Sequence, residues 1–201
     1  MGRQVLLATA HEGEIAELRR ILAAAGWQGV TCAEAGIQPP SFGFTGPNLR
    51  ERAIMRAATF VEQANLPVIA LTSAYNVYAM NAQPGLRTHD FAGEGATDAE
   101  HCAKLLKEMK RVAPGQRLGL FQVAIAVGWP GEQVKVCNST LECEVPVEQR
   151  GEGGFLFDPV TQLNNKQTLA EMSDDDRDRH SHRGMAMKQV VKHLDAMAAR
   201  G

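Results

Sequence analysis

Gly153-Gly154-Phe155-Leu156-Phe157-Asp158-Pro159, followed by Ser181-His182-Arg183-Gly184, is the pair of stretches on which the reading of this chain turns. The first is a glycine turn that brings two aromatic rings and a carboxylate to one place. The second sets a hydroxyl, an imidazole and a guanidinium in succession within a long helical run. A flat heteroaromatic ring needs such a set, with faces to stack on and donors and acceptors around its edge. Together they predict a pocket for a small-molecule ligand with a planar ring.

The flanking sequence alternates between strand-like and helix-like runs. Val5-Leu6-Leu7-Ala8 reads as a buried strand, and Ile15, Leu18, Ile21, Leu22 and Ala25 recur at helical spacing until Gly26. Ala53, Ala57, Phe60 and Ala64 mark a second helix, which Pro67 stops before the buried run Val68-Ile69-Ala70-Leu71. Residues 36–47 read as a loop carrying Phe42 and Phe44. The stretch 72–95 is polar, lacks a period, and is expected to be a long functional loop. Thr97 and Glu100 predict a capping box on a third helix. Pro114-Gly115 and Pro130-Gly131 bracket two runs, Leu118 to Val127 and Val134 to Val145, that read as an antiparallel hairpin. One terminal helix is expected from Ser173, with Asp174, Asp175 and Asp176 in its first turn and a core stripe of Met187, Val190, Val191, Leu194 and Met197. The pattern is mixed α/β.

With 201 residues, 44% hydrophobic and 22% charged, the chain is expected to fold as a single domain, 1–201. Its 21 basic and 23 acidic residues leave a formal charge of −2, which argues against nucleic-acid or membrane partners. No apolar run approaches the ~18 residues needed to span a bilayer, and the amino terminus has no signal-peptide pattern. Cys32, Cys102, Cys137 and Cys143 have no CxxC spacing, so reduced thiols and a cytoplasmic setting are expected, without zinc.

From end to end, the order and length of these segments resemble the inosine/xanthosine triphosphate pyrophosphatase family, which cleaves deaminated purine nucleoside triphosphates to monophosphate and pyrophosphate. The family's Gly-Phe-Gly-Tyr-Asp-Pro is recognisable at Gly154 to Pro159, and its Ser-His-Arg-Gly is intact at Ser181 to Gly184. Pro84-Gly85 matches a Pro-Gly of the central loop, and Glu51 to Ala57 resembles the family's Glu-Asn-Ala-x-x-Lys-Ala. The resemblance implies an elongated, mixed-sheet fold of the Maf/ITPase type, with a cleft between two lobes, and a homodimer. It also implies that Phe155 and Phe157 flank a base whose edge is read by Asp158, Ser181, His182 and Arg183, with Arg177 at a family lysine position.

Elsewhere the chain departs from the family. The Ser/Thr-Gly-Asn-x-x-Lys phosphate loop corresponds to Thr9-Ala10-His11-Glu12-Gly13-Glu14, and the acidic Asp-Asp-Ser-Gly to Leu71-Thr72-Ser73-Ala74. A metal-binding glutamate corresponds to Phe44, and a central-loop arginine to Asp90, beside His89. A carboxylate at Glu14 is expected to repel phosphate, and leucine and threonine supply no ligand for a hard cation. No metal site is therefore expected. Instead His11, Glu14, His89 and Asp90 are candidates for acid–base catalysis near Thr72 and Ser73, which would contact substrate.

The reading these departures favour is a divergent enzyme of this family, acting on a nucleotide- or nucleobase-like substrate, in a specialised biosynthetic pathway, without the usual magnesium–triphosphate site. Two alternatives stay open. One is a nucleoside triphosphate pyrophosphohydrolase for deaminated purines, with Glu12, Glu14, Glu34, Glu51 or Asp90 regrouped around magnesium. The other is a nucleotide-binding protein without catalysis.

Overall fold

Val5 to Ala8 is apolar at every position because both faces of its strand are covered. In a computed structural model, which describes residues 3–38 and 45–200, Val5 and Leu7 enter one apolar cluster while Leu6 and Ala8 enter another. The same alternation divides Ile69 and Leu71 from Val68 and Ala70, and Val123, Ile125 and Val127 from Ala124 and Ala126. Helix covers each side of these strands. Leu18 and Leu22 of α1 (Glu12–Ala24) and Met187, Val190 and Leu194 of α5 (His182–Ala198) pack on one face. Ala53, Ala57 and Phe60 of α2 (Leu49–Ala64) pack on the other. Short alanines on both the strands and α2 suit a close approach of helix to sheet. The longer aliphatics of the α1/α5 side carry more of the hydrophobic stabilisation, about 1.5–3 kcal/mol for each fully buried Val, Leu or Ile.

One six-stranded sheet runs β2-β1-β3-β5-β6, with β4 paired to β3, from β1 (Arg3–Leu7), β2 (Trp27–Thr31), β3 (Val68–Val77), β4 (Gln83–Gly85), β5 (Leu118–Gly128) and β6 (Lys135–Glu144). β1 is parallel to β2 and β3, whereas β4 is antiparallel to β3. The short 129–134 connection between the neighbouring β5 and β6 leaves room only for a hairpin. The architecture is mixed α/β with a mixed open sheet, as the pattern of elements predicts.

By its contacts the chain divides into two compact units. The first comprises 1–72, 123–139 and 183–201 and contains the two clusters just described. The second comprises 73–122 and 140–182. Its core gathers Tyr75, Val77, Phe121, Cys143, Phe155, Leu156, Phe157 and Val160 with Cys102, Leu105 and Met109 from α3 (Asp98–Glu108) and the turn after it. The capping box at Thr97 and Glu100 is present. Arg117 is buried in this unit and donates to the carbonyls of Met109 (2.6 Å), Val145 (2.8 Å) and Pro146 (2.7 Å).

Two expectations need correction, and one strand goes unread. The stretch 72–95 is not a continuous loop: β3 runs on to Val77, β4 follows, and 3-10 turns occupy 78–80 and 88–90. The extra strand residues are held by pairing with β4, Tyr75 opposite Gly85 and Val77 opposite Gln83, which the polar composition of Thr72, Ser73 and Asn76 conceals. The terminal helix is two helices, α4 (Asp174–His180) and α5, parted at Ser181, whose backbone is extended (φ −69°, ψ 153°). The edge strand β2 was not foreseen, its apolar signal being only Trp27 and Val30 around Gly29. Phe42 and Phe44 lie outside the described residues.

Candidate functional site

The Gly154-to-Pro159 motif takes its shape within the second unit. In the second unit, Gly154 takes a left-handed backbone (φ +72°) and carries the chain into Phe155, whose N–H donates to Asp158 Oδ2 at 3.1 Å. A Cβ on Gly154 would fall 2.2 Å from that same oxygen, so the turn excludes any side chain there. Leu156 is also left-handed (φ +54°). Its N–H is held by Asp98 Oδ2 at 2.7 Å, and its carbonyl accepts from the Cys102 thiol at 3.0 Å. Strain of this kind persists only where the surroundings over-determine it. Here it fixes the backbone between the two phenylalanines.

Phe157 has no exposed surface and Phe155 little. The Phe157 ring lies against Tyr75 (5.4 Å between centroids), His101 (5.8 Å), Phe91 (6.2 Å) and Phe121 (6.5 Å), so in this conformation aromatic neighbours cover it. Asp158, Ser181 and His182 are fully buried as well. His182 opens α5 immediately after the break at Ser181, and its ring stacks on Phe121 at 4.3 Å. Arg177 is buried, forms an ion pair with Asp174, and points Nη1 at the carbonyls of Met172 (3.3 Å) and Leu169 (3.5 Å). Its fork is directed at the backbone under the Gly153 turn, where a Cβ on Gly153 would meet Nη1 at 2.9 Å.

In the first unit, the start of α1 is closed by its own side chains. Thr9 Oγ1 accepts the His11 N–H at 3.2 Å and donates to Glu14 Oε2 at 2.5 Å. His11 caps the helix, its Nδ1 accepting the Glu14 N–H at 3.4 Å. Glu14 is buried, and its charge acts on Arg56, whose guanidinium donates to the Leu71 carbonyl at 3.1 Å. Burial lowers the Arg56 pKa from its ordinary value, and Glu14 opposes that shift. Arg183 donates through Nε to Glu17 Oε2 at 2.6 Å, an ion pair with both side chains buried.

The four candidate acid–base residues therefore fall as two pairs. His11 and Glu14 are joined through the cap of α1. His89 and Asp90 belong to the other unit and are exposed on the 88–90 turn, where both act on the charge of His101. Thr72 and Ser73 straddle the division of the chain, and the hydroxyl oxygen of each is buried with no hydrogen-bond partner among the described residues. An orphaned buried hydroxyl costs about 1–3 kcal/mol, which a bound ligand can recover.

Among the described residues no group of three or more His, Cys, Asp or Glu side chains could hold a metal ion, and residues 1, 2, 39–44 and 201 carry none of these types. Sequence reasoning missed Phe121, His101, Arg56 and Glu17. Only Arg56 left a trace, at the lysine position of the Glu51-to-Ala57 stretch.

A mixed sheet with helices on both faces of one half, and a strained glycine turn leading to a helix-opening Ser-His-Arg, define a class already seen in solved structures. A Ham1 protein from Coxiella burnetii superposes with a TM-score of 0.80 at 28% identity, covering 96% of this chain and 98% of that one. The Ham1 family model matches residues 5–193, and the chain belongs to that family. Curated relatives include the dITP/XTP pyrophosphatase of Bacillus subtilis (strain 168), 33% identical over 195 residues, which span 96% of this chain and 98% of the relative. A dITP/XTP pyrophosphatase of Thermus thermophilus is 31% identical over 95% and 91% of the two chains. No helix among the described residues is long and apolar enough to cross a membrane.

Proposed function

We propose that this protein is a nucleoside triphosphate pyrophosphohydrolase for deaminated purine nucleotides. The observation that carries the reading is the end-to-end likeness to relatives named for dITP and XTP. On this reading Phe155 and Phe157 flank the base, and Asp158, Ser181, His182 and Arg183 read its edge. The orphaned hydroxyls of Thr72 and Ser73 contact the rest of the nucleotide, and Arg177 holds the turn from behind. Water supplies an oxygen to phosphorus, the bridge between the α- and β-phosphoryl groups breaks, and monophosphate and pyrophosphate leave. Since the family model runs across both units, we read 1–201 as one functional domain. We further propose that the molecule is a homodimer, which light scattering after size exclusion would decide.

A second reading, chemistry without polyphosphate, is favoured by one observation: Glu14, where the resemblance places a phosphate-binding lysine, is buried against Thr9 beside Arg56. In that reading His11 and Glu14, with His89 and Asp90, supply acid–base groups for a nucleotide- or nucleobase-like substrate. The deciding experiment is hydrolysis of inosine, xanthosine and adenosine triphosphates, with magnesium and with EDTA, read by chromatography of the products. Turnover of the first two in preference to the third establishes the pyrophosphohydrolase. Binding of inosine without turnover of any triphosphate withdraws it.

A further inference from the structure

Three rings form a column in the second unit. Phe121, on β5, lies between Tyr75 and His182, with centroids 4.1 Å from Tyr75 at an interplanar angle of 11° and 4.3 Å from His182 at 16°. The far end of the column is anchored. The Tyr75 hydroxyl donates to the Val160 carbonyl at 3.3 Å and accepts from the Cys143 thiol at 3.7 Å, and the Tyr75 N–H donates to Thr88 Oγ1 at 2.8 Å. Gly119, two residues before Phe121 on the strand, makes room for the Tyr75 ring, because a Cβ there would sit 2.8 Å from Tyr75 Cε2. Phe157 leans on both aromatic members.

Near-parallel stacking fixes a ring's plane, and the imidazole nitrogens lie in that plane, so they project from the edge of the column rather than into it. His182 is the first residue of α5, directly after extended Ser181, and its ring stacks on Phe121. We propose that Phe121 is a positioning residue. Held against Tyr75, it sets the plane of the His182 imidazole so that the ring edge reads the 6-position of a purine, and it thereby governs discrimination between 6-oxo and 6-amino rings. This rests on the base-pocket reading above. A side chain of similar volume but without a flat face would fill the space and remove the surface on which the imidazole stacks.

The test is a double-mutant cycle of Phe121→Leu and His182→Ala, with inosine and adenosine as probes in calorimetric titration and circular dichroism as the check on folding. F121L is expected to weaken inosine binding about tenfold and to bring the inosine-to-adenosine ratio close to that of H182A, while adding less than about twofold on the H182A background. Equal losses for both nucleosides, or additive losses in the cycle, overturn the proposal. Should F121L not fold, the wild-type His182 ring protons serve instead. Stacked on Phe121, they resonate upfield and are expected to shift when inosine is added but not with adenosine; no movement with inosine overturns the proposal. Wild-type protein that binds neither nucleoside overturns this proposal and leaves the function beneath it to be decided by triphosphate turnover, and inosine preference with an additive cycle likewise overturns this one alone.

Discussion

At Gly154 a single hydrogen atom in place of a methyl group decides whether the Phe155–Asp158 turn closes. Gly154→Ala places a Cβ at 2.2 Å from the Asp158 carboxylate and forces a left-handed backbone on alanine. The backbone alone costs about 1–2 kcal/mol. With displacement of Asp158 added, the expected loss is about 3 kcal/mol, measured as a lower urea midpoint at unchanged m-value. His101 is held neutral in the folded protein. Its Nδ1 accepts the Ala92 N–H at 3.1 Å, which only a neutral imidazole can do, and burial lowers its pKa from the ordinary 6.5. Asp98, Asp90 and Glu100 oppose that shift, and His89 reinforces it. The folded protein therefore binds its proton less readily than the unfolded chain does. The contribution is complete above about pH 6.5 and declines as the pH falls through and below that value. His101→Gln, which keeps an acceptor but does not titrate, is expected to flatten the drop in urea midpoint between about pH 7.5 and 5.5. An unchanged slope would remove His101 from the account.

Elements were legible where packing and sequence agree. Val5 to Ala8 could be assigned because burial on both faces leaves an unbroken apolar run, and Thr97 with Glu100 because a capping box is a local signature. The far half of β3 was hidden because Thr72, Ser73 and Asn76 are polar, and its pairing with β4 is a tertiary fact. The break at Ser181 was hidden because serine, histidine and arginine are all tolerated in a helix, and the apolar spacing resumes beyond it. Arg117 shows the same limit from the other side: in a Pro-Gly-Gln-Arg stretch it reads as a solvated turn residue, yet it is only 3% exposed. Its guanidinium ties the end of α3 to the segment after β6 by donating to Met109, Val112, Val145 and Pro146. Arg117→Met keeps the apolar stem but leaves several carbonyls without donors, at about 1–3 kcal/mol for each one that stays buried. The expected outcome is a loss of at least about 3 kcal/mol, with hydrogen exchange quickening in 109–117 and 143–146 more than in α1. Uniform quickening across the chain would argue against a local tie.

At the scale of the whole molecule, the motif residues were readable by resemblance, but the groups around them were not. Tyr75, His101 and Phe121 reach Phe157 from three separate elements, and Arg56 reaches Glu14 from another helix. What remains to be decided is which part of a nucleotide the molecule holds. A ligand that binds only the folded state raises stability by RT ln(1 + [L]/Kd), about 2.7 kcal/mol at a hundredfold excess over Kd. For a chain of this size that corresponds to a rise in melting temperature of roughly 5–10 °C. If the triphosphate is gripped, inosine triphosphate at a fixed concentration shifts the melting temperature further than inosine does, and magnesium widens the gap. The burial of Glu14 against Thr9 at the capped start of α1 favours the opposite ranking, because it sets a carboxylate where the resemblance places a phosphate-binding lysine. Thermal shifts for inosine, its monophosphate and its triphosphate, each with magnesium and with EDTA, therefore discriminate directly between the two readings. A rising series in magnesium supports the pyrophosphohydrolase. A shift from inosine that equals or exceeds that from the triphosphate in both buffers withdraws it and leaves a pocket that recognises the base alone.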